Sequence, residues 1–188
     1  MYRVLKAIVG VLFKLIYRIN VKGIENIPKD GAFIVSANHT HIFDPIVLAL
    51  IIDRQVFFLA KKELFKNKIF SKFFSSLGVI AIDRKNNDFK AIKMCFKVIR
   101  NKNILGIFPE GTRVKNVDIS NMKKGVALIA LKNDTDIVPI HIDASYKIFS
   151  KINIEIYKKI EVNEFKNLDE SEAIDKLTEK LFNSIYQK

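Results

Sequence analysis

The chain has 188 residues, with 32 Lys and Arg against 20 Asp and Glu, a formal net charge of +12, and 49% hydrophobic residues. That length supports one domain with a substantial core, no Gly/Ser/Pro-rich linker divides it, and a lone Cys95 excludes an internal disulfide and fits a reducing compartment. The charge predicts attraction to nucleic acid, an anionic membrane or an acidic protein, and a mean hydropathy of +0.10 favours the membrane and argues against nucleic acid.

The first twenty residues carry Arg3, Lys6, Lys14 and Arg18, no acidic residue, and apolar side chains almost everywhere else. On a helix turning about 100° per residue the basic groups fall within an arc of roughly 120°, with Leu5, Ile8, Val9, Leu12, Leu15, Ile16 and Ile19 opposite. This pattern describes a helix lying in a membrane interface with its basic face toward lipid phosphates, or one packed on the protein's own core. Lys6 and Lys14 interrupt the apolar run that spanning requires, and charge within the run argues against a cleaved signal peptide. The expected division is a membrane-associating helix over 1–20 and a catalytic domain over 21–188.

Pro28 and Gly31 break the chain before Ala32-Phe33-Ile34-Val35, a continuous apolar run of the buried-strand type. The strand delivers Asn38-His39-Thr40-His41-Ile42-Phe43-Asp44-Pro45, after which Pro45 opens a helix over Ile46 to Ile52 whose amides are expected to face Asp44. Strands follow at Val56 to Ala60 and Gly78 to Arg84, with helical segments between them reaching Leu77. A helix over Asp88 to Arg100 presents Phe89, Ile92, Cys95, Phe96 and Ile99 on one face. Ile104 to Phe108 is a strand running into Pro109-Glu110-Gly111-Thr112-Arg113, and Met122 to Leu131 is helical. Ile137 to Ile142 is a strand in which Pro139 implies an edge position or a bulge. Lys151 to Ile160 alternates as a strand does, and Ser171 to Tyr186 forms an amphipathic helix capped from Asp169. Alternating strands and helices predict an α/β fold, with a central, mostly parallel sheet flanked by helices.

His39 and Asp44 stand at a strand end and a helix start, where ligands bind in open α/β sheets. An imidazole can take the proton of an attacking alcohol, and a carboxylate on its other nitrogen fixes the tautomer and stabilises the imidazolium. No serine or cysteine nucleophile stands within the motif, so the attacking hydroxyl belongs to a substrate and transfer is direct. Alone, the pair reads more simply as a capped loop in which each side chain satisfies backbone groups. His41 and His141 offer further imidazoles, but no Cys-rich or Glu-rich spacing accompanies them, so no metal is expected. In the second loop Gly111 lets backbone approach a ligand, Thr112 offers a hydroxyl and Arg113 a phosphate-matching fork.

Four segments, in this order, resemble the glycerolipid acyltransferase family, most closely its bacterial lysophosphatidic acid acyltransferases. They are the His39-to-Asp44 block (HxxxxD), Gly78 to Arg84, Phe108-Pro109-Glu110-Gly111-Thr112-Arg113, and Val138-Pro139-Ile140, and the similarity covers roughly residues 20 to 160. The resemblance implies transfer of an acyl chain from an acyl-CoA or acyl-acyl carrier protein thioester to the free hydroxyl of 1-acyl-glycerol-3-phosphate, giving phosphatidic acid, with no bound cofactor. His39 would be the general base and Asp44 its orienting partner, while Arg84, Glu110, Gly111, Thr112 and Arg113 bind the acceptor phosphate. Ion pairing of Arg84 or Arg113 with Asp83 or Glu110 is the competing reading. The implied partners are lysophosphatidic acid, an anionic membrane surface and an acyl carrier protein donor, and the implied location is peripheral, on the cytoplasmic face of the cell membrane. The alternatives are another lysolipid acceptor or a non-catalytic anionic-lipid binder.

Overall fold

A strand that is apolar without alternation needs cover on both faces, and Phe33–Ala37 receives it, with every residue buried. The computed structural model describes residues 2–83, 88–114 and 116–186. The chain runs α1 (Tyr2–Ile16), β1 (Arg18–Lys22), β2 (Phe33–Ala37), α2 (Asp44–Ile51), β3 (Val56–Lys61), α3 (Lys68–Ser76) and β4 (Ile80–Ile82). It continues through α4 (Phe89–Arg100), β5 (Ile104–Ile107), α5 (Gly125–Lys132), β6 (Ile137–Ala144), β7 (Lys151–Ile156) and α6 (Glu170–Tyr186). The strands form one seven-stranded sheet in the order β1-β7-β6-β2-β5-β3-β4. Among the described strands only the β6/β7 pair is antiparallel. Strands β2 to β6 therefore point the same way, and their C-terminal ends share one edge.

Alternation along β2 divides the core. Phe33, Val35 and Ala37 pack with Phe13 of α1 and Val47, Leu48 and Ile52 at α2. Ile34 packs on the opposite face with Cys95 of α4, Val126 of α5 and Leu177 and Leu181 of α6. Burial pushes the Cys95 thiol up to about 12, which makes it an inert core group. The inward side of α6 and the cap expected from Asp169 are present, with Asp169 accepting from the Glu172 amide at 3.0 Å, and α4 is capped by Asp88, which accepts from the Ala91 amide at 3.0 Å.

Helix α1 is part of this architecture, because its residues Phe13 and the following Tyr17 are buried on the sheet. The helix ends at Ile16, and Arg18 already pairs with Lys151 of β7. Lys6 departs from its expected place facing lipid. Its ammonium donates to the Ile52 carbonyl at 2.6 Å and the Asp53 carbonyl at 3.4 Å, where α2 leaves carbonyls unpaired. Burial holds its pKa below the ordinary lysine value, with Asp53 opposing the shift.

Of the two positions expected for Pro139, the edge is not taken and the bulge is. Pro139 lies on β6, an interior strand between β2 and β7, and pairs with Ser36. Ile137 exchanges both amide bonds with Ile160, and the Tyr157 amide donates to the Pro139 carbonyl at 3.0 Å, so two steps along β6 face three on the opposite chain. The irregularity at 158–159 falls where proline has no N–H to give, which is how an interior strand tolerates it.

Gly106 of β5 has a packing reason. A Cβ there would lie 2.3 Å from Cε1 of Phe58 on the neighbouring β3. Phe58 crosses this gap and stacks on Phe108, with ring centroids 6.1 Å apart and planes 14° apart. Gly106→Ala should destabilise the protein by about 1–3 kcal/mol through overpacking. Urea unfolding checks this, and an unchanged midpoint would show that Phe58 is free to move aside.

Candidate active site

The chain leaving β2 is held before it reaches the histidine. Asn38 Nδ2 donates to the Ile142 carbonyl at 2.8 Å, and its Oδ1 accepts from the Ile142 amide at 2.7 Å. The side-chain amide thus stands in for a strand residue and extends the β2–β6 ladder by one rung. His39 follows at the shared C-terminal edge, its ring stacked on Phe108 with centroids 4.2 Å apart and planes 22° apart. The series Gly106, Phe58, Phe108, His39 thus ties the imidazole to the core of the sheet.

Asp44 is fully buried, at 0% exposure. Oδ2 lies 3.0 Å from His39 Nδ1 and accepts from the amides of Thr40 at 2.8 Å and His41 at 2.7 Å. Oδ1 accepts from the Tyr146 hydroxyl at 2.6 Å. The amides facing Asp44 come from the loop before it, not from the helix after it, because Asp44 is itself the first residue of α2 and its side chain folds back. Burial pushes this carboxyl upward, but the donors outweigh it, led by His39 and Tyr146, and the pKa lies below the usual aspartate value. An ionised Asp44 accepts Nδ1–H, so the neutral imidazole keeps its lone pair on Nε2, the position a general base requires.

Tyr146 escaped the sequence reading. It stands 102 residues from Asp44, just after β6, and nothing in Ala144-Ser145-Tyr146-Lys147 marks it. Its backbone is left-handed, with φ +54°, and its carbonyl accepts from the Tyr17 hydroxyl at 3.4 Å. Burial, then the Asp44 carboxylate, raise the phenol's pKa, so Tyr146 stays a neutral donor. Its ring stacks on His41, whose Nδ1 accepts from the Phe43 amide at 3.3 Å. His141 Nδ1 sits 2.9 Å from the Ile185 carbonyl. The three imidazoles therefore have separate surroundings, and among the described residues no His/Cys/Asp/Glu group suits a metal ion.

The second loop divides by direction. Glu110 is 3% exposed, and its Oε1 accepts from the Tyr186 hydroxyl of α6. Burial raises its pKa against that hydrogen bond. Its side chain therefore anchors the loop to α6, and no ion pair joins it to Arg113. Gly111 turns the chain at φ +67°, its amide donating to the Phe108 carbonyl at 3.0 Å. Thr112 and Arg113 beyond it are exposed, and the Val114 amide donates to the His39 carbonyl at 2.9 Å. That bond sets Arg113 beside the histidine's own backbone. Arg84 lies outside the described residues, while its neighbour Asp83 receives Lys62 at 2.5 Å.

Two outcomes follow from Asp44. Its lowered pKa means the folded state binds fewer protons than the unfolded chain, so its stabilisation is present above the ordinary carboxylate pKa and lost as pH falls through the folded one. Asp44→Asn should lose most stability at neutral pH, with the gap to wild type closing in acid, as urea unfolding over a pH series would show. Tyr146→Phe should cost about 1.5–3 kcal/mol, the worth of a hydrogen bond to a charged group, in the same assay.

A family model described as "Acyltransferase" matches residues 18–143. A 1-acyl-sn-glycerol-3-phosphate acyltransferase of Bacillus subtilis is 29% identical over 187 residues, 96% of this chain and 93% of that protein. The enzyme of the same name from Borreliella burgdorferi is 33% identical over 136 residues, 71% of this chain and 54% of its own length. The crystal structure of the 1-acyl-sn-glycerophosphate (LPA) acyltransferase PlsC from Thermotoga maritima superposes with a TM-score of 0.77 at 25% identity, covering 96% of this chain and 76% of that one.

Proposed function

The chain belongs to the acyltransferase family, and from that premise we propose that it acylates the free hydroxyl of 1-acyl-glycerol-3-phosphate, giving phosphatidic acid. The observation that carries this reading is the His39–Asp44 pair at 3.0 Å with the exposed Thr112–Arg113 tip bonded to the His39 backbone through Val114. A base and an anion-binding arm on one edge of the sheet are what a phosphate-bearing alcohol needs. The relatives from Bacillus and Borreliella and the Thermotoga structure, all named for this acceptor, support it.

In the reaction, His39 Nε2 takes the acceptor's hydroxyl proton as its oxygen attacks the thioester carbonyl. The C–S bond then breaks, and the imidazolium returns the proton to the departing thiolate, so enzyme protonation is restored each cycle. Asp44 stabilises the imidazolium between those steps. Arg113 and Thr112 hold the phosphate so that the hydroxyl lies within reach of Nε2. The donor is a thioester of coenzyme A or of an acyl carrier protein, both of which carry negative charge toward a basic chain.

No helix among the described residues is long and apolar enough to cross a membrane. We place the protein peripherally on the cytoplasmic face of the membrane. Support comes from the outer side of α1, where Val4, Ile8, Val11, Leu12 and Leu15 are exposed beside Arg3 and Lys14. The Phe149 amide donates to the Ile16 carbonyl at 2.9 Å, which sets the exposed Ile148 and Phe149 next to the end of that helix.

Acyl transfer in anionic vesicles tests the assignment, with either thioester donor and acceptors with or without a phosphate monoester. His39→Ala should lose at least about a hundredfold in rate, and a fully active variant would exclude His39 as the base. Arg113→Ala should raise the KM for the phosphate-bearing acceptor while sparing that for the donor, and an unchanged acceptor KM would remove Arg113 from the phosphate site.

A further inference from the structure

Among the described residues, α3 alone of the six α-helices has no fully buried residue, its main inward contact being the half-buried Phe74 against Phe65. Ile69 is 78% exposed, Phe70 56% and Phe73 40%. An isolated nine-residue helix is marginal in water, and one that keeps such groups in solvent lacks the burial that normally stabilises a helix. Its start is nevertheless fixed, with Asn67 Oδ1 accepting from the amides of Ile69 at 2.8 Å and Phe70 at 3.3 Å. On a helical wheel Ile69, Phe70 and Phe73 share one side, and Lys68 and Lys72 lie together along one border of it. From residue 64 to residue 82 the chain carries three lysines and no Asp or Glu.

The position matters as much as the composition. Helix α3 joins β3 to β4 at one end of the sheet, α1 leads into β1 at the other, and His39 leaves the central β2 between them. We propose that α3 is a second lipid-docking element, lying flat on an anionic bilayer with Ile69, Phe70 and Phe73 among the acyl chains and Lys68 and Lys72 at the phosphates. Contact on both sides turns the mouth of the His39 site toward the membrane, where an acyl-chain-bearing acceptor resides. Charge complementarity selects an anionic partner, and the three apolar side chains select a lipid surface over an acidic protein, which would satisfy the lysines and leave the rings in water. This inference rests on the lipid-acceptor reading above.

The chain contains no tryptophan, so a single one reports its own position without background. Phe70→Trp and, as a separate protein, Leu15→Trp in α1 would be titrated with phosphatidylglycerol vesicles carrying acyl-chain-brominated lipids, with retained acyl transfer confirming the fold. Both emissions should shift to the blue and be quenched, and adding Lys68→Glu and Lys72→Glu to the first should weaken vesicle binding about tenfold or more. Quenching of Leu15→Trp while Phe70→Trp emission stays unmoved would overturn the role of α3 and leave the membrane reading intact. If neither is quenched, both fall. A Phe70→Trp emission that answers only to an acidic carrier protein would assign α3 to a protein contact and overturn the proposal as well.

Discussion

Everything at the catalytic edge depends on the buried carboxylate of Asp44. A charge taken fully out of water is tolerable only if its lone pairs are filled, and here a histidine, two loop amides and a tyrosine fill them. The same bonds fold the His39-to-Asp44 loop, because the amides of Thr40 and His41 must turn inward to reach Oδ2. Conformation and chemistry are thus one requirement, since the contacts that solvate Asp44 also aim Nε2 of His39 outward. Removing any donor would loosen the loop and the base together.

Around this centre the protein uses apolar contacts to hold polar geometry. Phe108 supports one face of the His39 ring and is backed by Phe58, which fits only because Gly106 has no side chain. Tyr146 is held by His41 and Phe43 and reaches α1 through Tyr17. Helix α1 thereby serves two settings at once, its inner side bracing the tyrosine that holds Asp44 and its outer side suited to lipid. On the opposite face, Tyr186 of α6 anchors Glu110 and with it the turn that presents Thr112 and Arg113.

The elements most legible in the sequence were those whose pattern is set by local burial. The unbroken apolar run of β2, the alternation of β7 and the amphipathic face of α6 each follow from neighbours within a few residues, and so does the placement of the His-Asp motif at a strand end. The face expected of α4 holds at Cys95 and Ile99 but leaves Phe89 69% exposed. What depended on partners far along the chain was not legible. Tyr146 carries no local mark, and the inward turn of Glu110 depends on a hydroxyl 76 residues away. Lys6 looked lipid-facing on a helical wheel, which cannot show that α2 ends beside it with carbonyls to fill. Pro139 left an edge and a bulge equally open, because a lone strand cannot show whether a partner lies opposite its missing N–H.

The tautomer of His39 tests the central claim most directly. The chain has three histidines, so their imidazole nitrogens can be assigned individually by nitrogen-15 NMR. At a pH where the ring is neutral, His39 should show a protonated Nδ1 and a bare Nε2, because an ionised Asp44 can only accept. Asp44→Asn should disturb that preference while leaving His141 unchanged. A wild-type His39 carrying its proton on Nε2 would contradict the assignment, since the nitrogen facing the acceptor would then have no lone pair to offer.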